Sequence, residues 1–164
     1  MSADPRVLSA LDAAGVPYEV MPCDPELADT ADFCRAYGID PAESANTIVV
    51  ASRQPPGHEA ACVALATTKI DVNGVVRRRL GVRKVSFASA NTTEAMTGME
   101  IGGVTVPGLP KGLPVWVDTA VAAAPSVVIG AGTRSAKIRL SGDALARLPS
   151  VEVVDGLATP VEST

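Results

Sequence analysis

The sequence predicts an α/β fold of the α+β type, in which helices flank a sheet of mixed parallel and antiparallel strands. Short helical and extended segments follow one another without the strict alternation that a wholly parallel sheet requires. The chain has 164 residues, of which 47% are hydrophobic and 3% aromatic. One domain of this size can bury an aliphatic core without disulfides or metal. We expect that domain to cover residues 1–156, followed by a flexible tail at residues 157–164.

The helices are predicted where a capping residue precedes an apolar face. Asp4 followed by Pro5 is a favourable helix start, because the carboxylate accepts a backbone N–H and proline has none to leave unpaired. Gly15 ends this first helix. Further helices are predicted after Asp29 or Thr30, after Asp71 as far as Gly81, after Asn91 and after Ser141.

The strands are predicted from β-branched and apolar runs between these helices. They cover residues 16–21, 45–51, 60–67, 83–87, 115–118, 126–129, 137–140 and 151–154. The second and third are continuously apolar at their centres, as strands buried on both faces are. Between them, residues 53–59 are rich in proline and glycine and are expected to form a loop. The glycines and prolines of residues 98–114 exclude a long regular element there.

The charge balance excludes a broad basic surface. The chain has 14 Lys and Arg against 18 Asp and Glu, a formal net charge of −4 at pH 7, which argues against a protein that wraps nucleic acid. The basic cluster is either the solvated end of a helix or a small phosphate-binding patch; it contains Arg77, Arg78, Arg79, Arg83 and Lys84. With no signal peptide and no run long enough to span a membrane, we expect a cytoplasmic protein without a membrane partner.

Side chains suited to nucleophilic or metal chemistry are scarce. His58 is the single histidine and lies in the loop at residues 53–59, where a solvated side chain is the plainer interpretation. Cys23, Cys34 and Cys62 lack the spacing of a disulfide framework or a zinc site, so we expect no metal and no other cofactor. The glycine-rich residues 98–112 indicate either a ligand-binding loop, with backbone N–H groups exposed, or a surface turn.

Seven segments resemble, in order, the YbaK/EbsC family, an aminoacyl-tRNA editing domain that is also inserted in or appended to prolyl-tRNA synthetases. They are residues 44–50, 68–71, 80–88, 97–98, 102–107, 114–118 and 130–133. The combination of Thr-Gly, then Gly-Gly-x-x-x-Pro, then a strand that ends in Asp is specific as a set. The resemblance implies the YbaK/prolyl-tRNA synthetase-associated fold.

The resemblance also implies hydrolysis in trans, by which a small mischarged amino acid is released from the tRNA 3′ end. The implied partners are the acceptor end of an aminoacyl-tRNA and an aminoacyl-tRNA synthetase. An aminoacyl ester is already activated, so positioning, a water and the substrate's own ribose hydroxyl can suffice without metal. The substrate-binding positions are expected at Lys69, Gly98, Gly102, Gly103, Val104, Pro107, Asp118 and Gly132, with Gly103 to Pro107 lining the pocket.

The chain departs from the family at one position that matters for catalysis. The family's functional lysine precedes the Thr of a Lys-Thr strand, whereas here Asn46 precedes Thr47. These two residues are expected nearest the ester, and Lys69 or Arg134 could supply the missing cation. The alternative is a catalytically inactive binding protein. Asp118 could be a site carboxylate or a helix cap.

Overall fold

The computed structural model describes residues 2–161 and shows a mixed α+β fold. Its helices are α1 Pro5–Ala14, α2 Thr30–Tyr37, α3 Arg77–Leu80, α4 Ala90–Thr97, α5 Thr119–Ala122 and α6 Gly142–Ala146. Its strands are β1 Glu19–Pro22, β2 Ala45–Gln54, β3 Pro56–Leu65, β4 Thr68–Ile70, β5 Lys84–Phe87, β6 Val115–Asp118, β7 Val127–Gly130, β8 Ala136–Leu140, β9 Val151–Val154 and β10 Ala158–Pro160. Within residues 2–161, no helix has the length and hydropathy needed to cross a membrane.

The main sheet has five strands in the order β5-β2-β3-β6-β9. The β5-β2 and β2-β3 pairs are antiparallel, whereas the β3-β6 and β6-β9 pairs are parallel. The predicted mixed sheet is therefore confirmed. A second, wholly antiparallel sheet has the order β1-β8-β7, and a bridge between Ser44 and Val128 connects the start of β2 to it.

The principal core lies between these two sheets and under α1. It contains Val7 and Leu11 of α1, Val63 of β3, Ile129 of β7 and Ile138 of β8, all at most 2% exposed. The low aromatic content shows directly here, because aliphatic side chains fill this space. A second core, on the opposite face of the five-stranded sheet, packs around Trp116, Val50 and Val76.

Most predicted helix starts are observed, and the exceptions have local causes. Asp4 accepts a hydrogen bond from the Arg6 backbone N–H at 2.9 Å, and Ser141 accepts from the Ala144 N–H. The cap of α4 is Ser89, which accepts from the Thr92 N–H at 3.1 Å, so the prediction of Asn91 is wrong.

Residues 53–59 form no open loop, because β2 and β3 continue through them as a tight hairpin.

The end of the chain differs from the expected flexible tail. Leu157 is fully buried in the second core, and β10 pairs with β4 in a separate two-stranded sheet. The buried side chain of Leu157 thus holds residues 157–160 against the domain. A single apolar residue is too short a pattern for the sequence to predict this. Residues 162–164 lie outside the described part of the chain.

Candidate functional site

A cavity of about 390 Å³ lies where the two sheets meet. Its wall is formed by segments from six parts of the chain. They are residues 28–30 before and at the start of α2, Ser44 and residues 45–49 of β2, Ala88, Ala90 and Thr93 around α4, Ile101, Gly102 and Val104 of the glycine-rich loop, residues 128–130 of β7, and Lys137 of β8. Its volume falls in the range of small-molecule sites. The cavity therefore brings together segments far apart in sequence.

The open edge of β2 forms one side of this cavity. β2 pairs with β3 along its whole length, but its pairing with β5 begins only at Val50. Beyond that point the Ala88 N–H donates to the Val49 carbonyl at 2.9 Å. The edge at residues 45–49 has no partner strand there among the described residues, and its backbone can therefore bind a ligand as a strand edge does.

Asn46 and Thr47 lie on this open edge, and both are half-buried in the cavity wall. The Asn46 Oδ1 atom accepts a short hydrogen bond from the Thr30 hydroxyl. Because Thr30 begins α2, this bond fixes the Asn46 amide against the opposite wall. The Asn46 side chain keeps its amide NH₂ donors, but it carries no charge.

Lys137 places an ammonium in the same cavity, and the sequence did not indicate it. The residue is 6% exposed, and its Nζ donates to the Ala28 carbonyl at 2.6 Å and to the Gly102 carbonyl at 2.9 Å. Nζ also lies 5.4 Å from the centre of the Phe33 ring. Burial lowers the pKa of Lys137 from its ordinary value. Two of its three N–H donors are thus engaged, and the third has no hydrogen-bond acceptor among residues 2–161.

Arg134 braces the wall behind this lysine. Its Nη1 donates to the Ile101 carbonyl at 2.8 Å and to the Asp29 carboxylate at 3.1 Å, and its Nε donates to the Pro25 carbonyl at 2.8 Å. The guanidinium is thereby committed to two chain segments and does not line the cavity. The expectation that Arg134 replaces the missing catalytic cation is not supported by this geometry.

Gly103 shapes the cavity from behind. A Cβ atom there would lie 2.3 Å from the Thr133 carbonyl oxygen, and one on Gly130 would lie 2.6 Å from the Gly103 carbonyl oxygen. The Gly132 N–H donates to that same Gly103 oxygen at 2.7 Å. Glycine at position 103 lets the loop backbone pack directly against residues 130–133, which holds Gly102 and Val104 in the wall.

Residues 24–148 match the aminoacyl-tRNA editing domain family. The chain belongs to the aminoacyl-tRNA editing domain family. A hypothetical protein of known crystal structure superposes with a TM-score of 0.83 at 21% identity, over 94% of this chain and 99% of its own. A proposed trans-editing enzyme for prolyl-tRNA synthetase superposes with a TM-score of 0.78 at 23% identity, over 94% of this chain and 98% of its own. The YbaK-type fold is therefore confirmed.

The editing domain brings four of the ten predicted site residues to the cavity wall: Asn46, Thr47, Gly102 and Val104. Pro107 is buried beyond the wall, and Gly98 is the C-cap of α4, where its carbonyl accepts from the Arg6 guanidinium. Gly132 packs beneath Asp4. These three residues do not line the cavity, and their contact with substrate stays a prediction.

The two charged positions predicted to bind substrate lie elsewhere in the editing domain. Asp118 is 4% exposed and caps α5 by accepting from the Ala120 N–H, while its other oxygen accepts from the Ala158 N–H. Its role as a helix cap is thus the one observed. Lys69 is exposed on β4, in a cleft that adjoins the cavity at Asn46 and Ile48.

The other nucleophile and ligand candidates are also outside the cavity. His58 lines a separate cleft beside Lys111, and burial raises the pKa of the Cys62 thiol to about 12. Among residues 2–161, no three His, Cys, Asp or Glu side chains are grouped closely enough to hold a metal ion. Within the editing domain, the groups that line the cavity are hydroxyls, amides, the Lys137 ammonium and the Asp29 carboxylate, which is paired with Arg134.

Proposed function

We propose that this editing domain acts in trans to hydrolyse the ester between a small mischarged amino acid and the 3′ end of a tRNA. The observation that carries the proposal is the Lys137 ammonium, held inside the cavity by the Ala28 and Gly102 carbonyls. The cavity lacks the lysine that the family places before Thr47. Lys137 supplies a cation to the same cavity from another strand.

The size and lining of the cavity suit a small aminoacyl group. Apolar side chains of Ile48, Val104 and Val128 lie among hydroxyl and amide groups, a combination typical of small-molecule sites. At about 390 Å³, the space suits a small amino acid together with the adjoining ribose. Larger amino acids would require the walls at β2 and the glycine-rich loop to move.

The reaction in this proposal is the addition of water to the ester carbonyl, followed by loss of the ribose oxygen. The water oxygen bonds to the carbonyl carbon, the carbonyl oxygen becomes an oxyanion, and the C–O bond to the ribose then breaks. The proton from water passes to the departing ribose oxygen, with the neighbouring ribose hydroxyl as relay. Amino acid and free tRNA result, so atoms and charge balance.

Lys137 stabilises the oxyanion in this scheme. Its third N–H donates to the developing negative charge, and the cavity strengthens this interaction because buried charges are poorly screened. The two carbonyls fix Nζ in advance, so little reorganisation accompanies the reaction. Removal of one such donor typically costs on the order of 100-fold in rate.

Asn46 and Thr47 position the substrate in this scheme. The side-chain oxygen Oδ1 of Asn46 accepts a hydrogen bond from the Thr30 hydroxyl. The side-chain NH₂ group is left to donate to the ribose or the ester. Thr47 adds a hydroxyl on the same edge. Neither side chain is a strong base, so their contribution is orientation of the ester and the attacking water.

The second candidate function is binding without turnover, and Asn46 favours it. An editing domain without the family's lysine could retain the cavity and lose hydrolysis. The two candidates predict different effects on the hydrolysis rate when a lysine is placed at position 46. If Lys137 has taken over the role of the cation, a second lysine there adds only like-charge repulsion. If catalysis was lost with the lysine, restoring it should restore the rate.

A deacylation screen separates the two candidates. We would measure amino acid release from tRNAs charged with alanine, serine, cysteine or proline, using the wild type, Asn46→Lys and the control Gln54→Lys at the far end of β2. We expect the wild type to deacylate at least one tRNA well above the spontaneous rate, and Asn46→Lys to be no faster. Binding of these tRNAs without release by the wild type, with release by Asn46→Lys, would establish the second candidate instead.

A further inference from the structure

Phe87 exposes its ring beside the proposed catalytic cavity. It is one of two phenylalanines in the chain and 51% exposed. It ends β5, an edge strand of the five-stranded sheet. The next residue, Ala88, lines the cavity, so the backbone places the ring within one residue of its wall.

Two clefts are lined by this ring. The smaller, of about 310 Å³, is lined by Phe87 and Lys69 and shares Asn46 and Ile48 with the cavity. The larger, of about 520 Å³, is also lined by Phe87 and Lys69 and has no lining residue in common with the cavity. The smaller cleft thus adjoins the cavity, and the two clefts adjoin each other at Phe87 and Lys69; we call the three together the groove.

The polar groups of the groove suit a nucleotide. Lys69 is exposed and forms no ion pair with any residue from 2 to 161. The nearby carboxylate, Asp71, instead accepts hydrogen bonds from the Gly74 and Val75 N–H groups. Other polar side chains along the larger cleft are Asn73, Ser86 and Thr159.

We propose that Phe87 is a stacking platform for the base of the terminal nucleotide and that Lys69 binds a backbone phosphate of the same single-stranded 3′ end. A base has an apolar face that stacks on an aromatic ring, and a lysine near the ring can pair with the phosphate. This inference rests on the proposed function, because the ester must enter the cavity while its nucleotide lies along the groove. It commits to RNA as the occupant, because an exposed ring beside an exposed ammonium and the polar side chains of the larger cleft match a base and its phosphate.

The test uses a short RNA that ends in CCA, with the fluorescent base 2-aminopurine in place of the terminal adenine. Stacking on Phe87 is expected to quench this fluorophore and allow its affinity to be titrated. The variants are Phe87→Ala, Phe87→Leu and Phe87→Trp, with Val153→Ala as an exposed apolar control. Thermal unfolding establishes that each variant is folded.

We expect Phe87→Ala and Phe87→Leu to weaken RNA binding about tenfold, the scale of one base–aromatic stack. Phe87→Trp and Val153→Ala should bind as the wild type does. Equal affinity of Phe87→Ala and the wild type would overturn the platform, as would a wild type that does not bind this RNA. A loss in Phe87→Ala that Phe87→Leu fully restores would also overturn it, because leucine is apolar but does not stack.

The binding assay tests the stacking platform, and the deacylation assay tests the proposed function, so each proposal can be wrong while the other stands. If Phe87 controls RNA binding but no mischarged tRNA is hydrolysed, the platform stands and the proposed function is wrong. If the wild type hydrolyses a mischarged tRNA and Phe87→Ala leaves KM unchanged, the function stands and the platform is wrong. With both correct, Phe87→Ala raises KM and leaves kcat close to that of the wild type.

Discussion

The interior and the rim of the site each hold a lysine, and the two lysines are in opposite environments. Lys137 is 6% exposed and donates to two backbone carbonyls. Lys69 is exposed beside Phe87, in the cleft that adjoins the cavity. A fixed, desolvated ammonium can favour a transition state, whereas a mobile, hydrated one contributes mainly to binding. The interior lysine should therefore control kcat and the rim lysine KM.

The largest expected effect follows from removal of the interior lysine. Lys137→Met should lower kcat/KM for deacylation by about 100-fold, because the oxyanion loses its cationic donor. The matched control is Lys111→Met, which removes an exposed lysine near His58 and should leave kcat/KM unchanged. Because Lys137→Met also leaves the Ala28 and Gly102 carbonyls unpaired, its thermal unfolding and RNA affinity must be measured alongside. A folded Lys137→Met enzyme with the wild-type rate would show that the interior lysine is only structural.

The pH dependence should distinguish the two lysines next. Burial lowers the pKa of Lys137 from its ordinary value of 10.5, so catalysis by its ammonium should decline as pH rises through that lowered value, by up to about tenfold per unit. The same shift means that the unfolded chain binds more protons than the folded chain between the two pKa values. This contribution to stability therefore rises with pH over that window. Deacylation rates corrected for spontaneous ester hydrolysis measure the decline in catalysis, and unfolding free energies measure the rise in stability.

A wild-type profile without this decline would contradict the role of the Lys137 ammonium. Lys137→Arg provides a control, because its guanidinium stays protonated throughout the accessible range. Whatever activity Lys137→Arg retains should not decline over that window.

The smallest expected effect belongs to the rim. Lys69→Ala should raise KM for tRNA about threefold with kcat unchanged, and this difference should shrink as salt is added, because exposed charges are screened. Lys111→Ala should change neither constant. A Lys69→Ala variant that loses kcat would reverse the division between interior and rim.

The sequence indicated Lys69 as a candidate but not Lys137, for a physical reason. Lys69 follows a predicted strand within a segment that resembles the family, so its place in the chain was informative. Lys137 stands in a strand whose alternation places it on the face opposite Ile138, as a solvent-facing lysine would be. Residues 28–33 cover that face and make it a cavity wall, and such long-range packing leaves no periodic signal.

Elsewhere in the fold, too, features set by neighbouring residues were predicted, and features set by distant contacts were not. Caps such as Asp4 and Ser141 depend on neighbours three residues away or fewer and were predicted. The packing of Gly103 against Thr133 and the second hydrogen bond of Asp118, from the Ala158 N–H, depend on distant contacts that sequence spacing does not reveal. The mixed sheet was predicted because the order of elements determines it, whereas the ordered strand at residues 158–160 required its distant partner β4.

The most direct test of the account moves the cation between the two positions. Single-turnover deacylation would be compared for the wild type, Lys137→Met and the double variant Asn46→Lys/Lys137→Met, with a tRNA that the wild type hydrolyses. If the cavity needs one ammonium that either β2 or β8 can supply, the double variant should recover a large part of the rate lost in Lys137→Met. A double variant as slow as Lys137→Met, although folded and able to bind RNA, would contradict the claim that Lys137 replaces the lysine missing before Thr47.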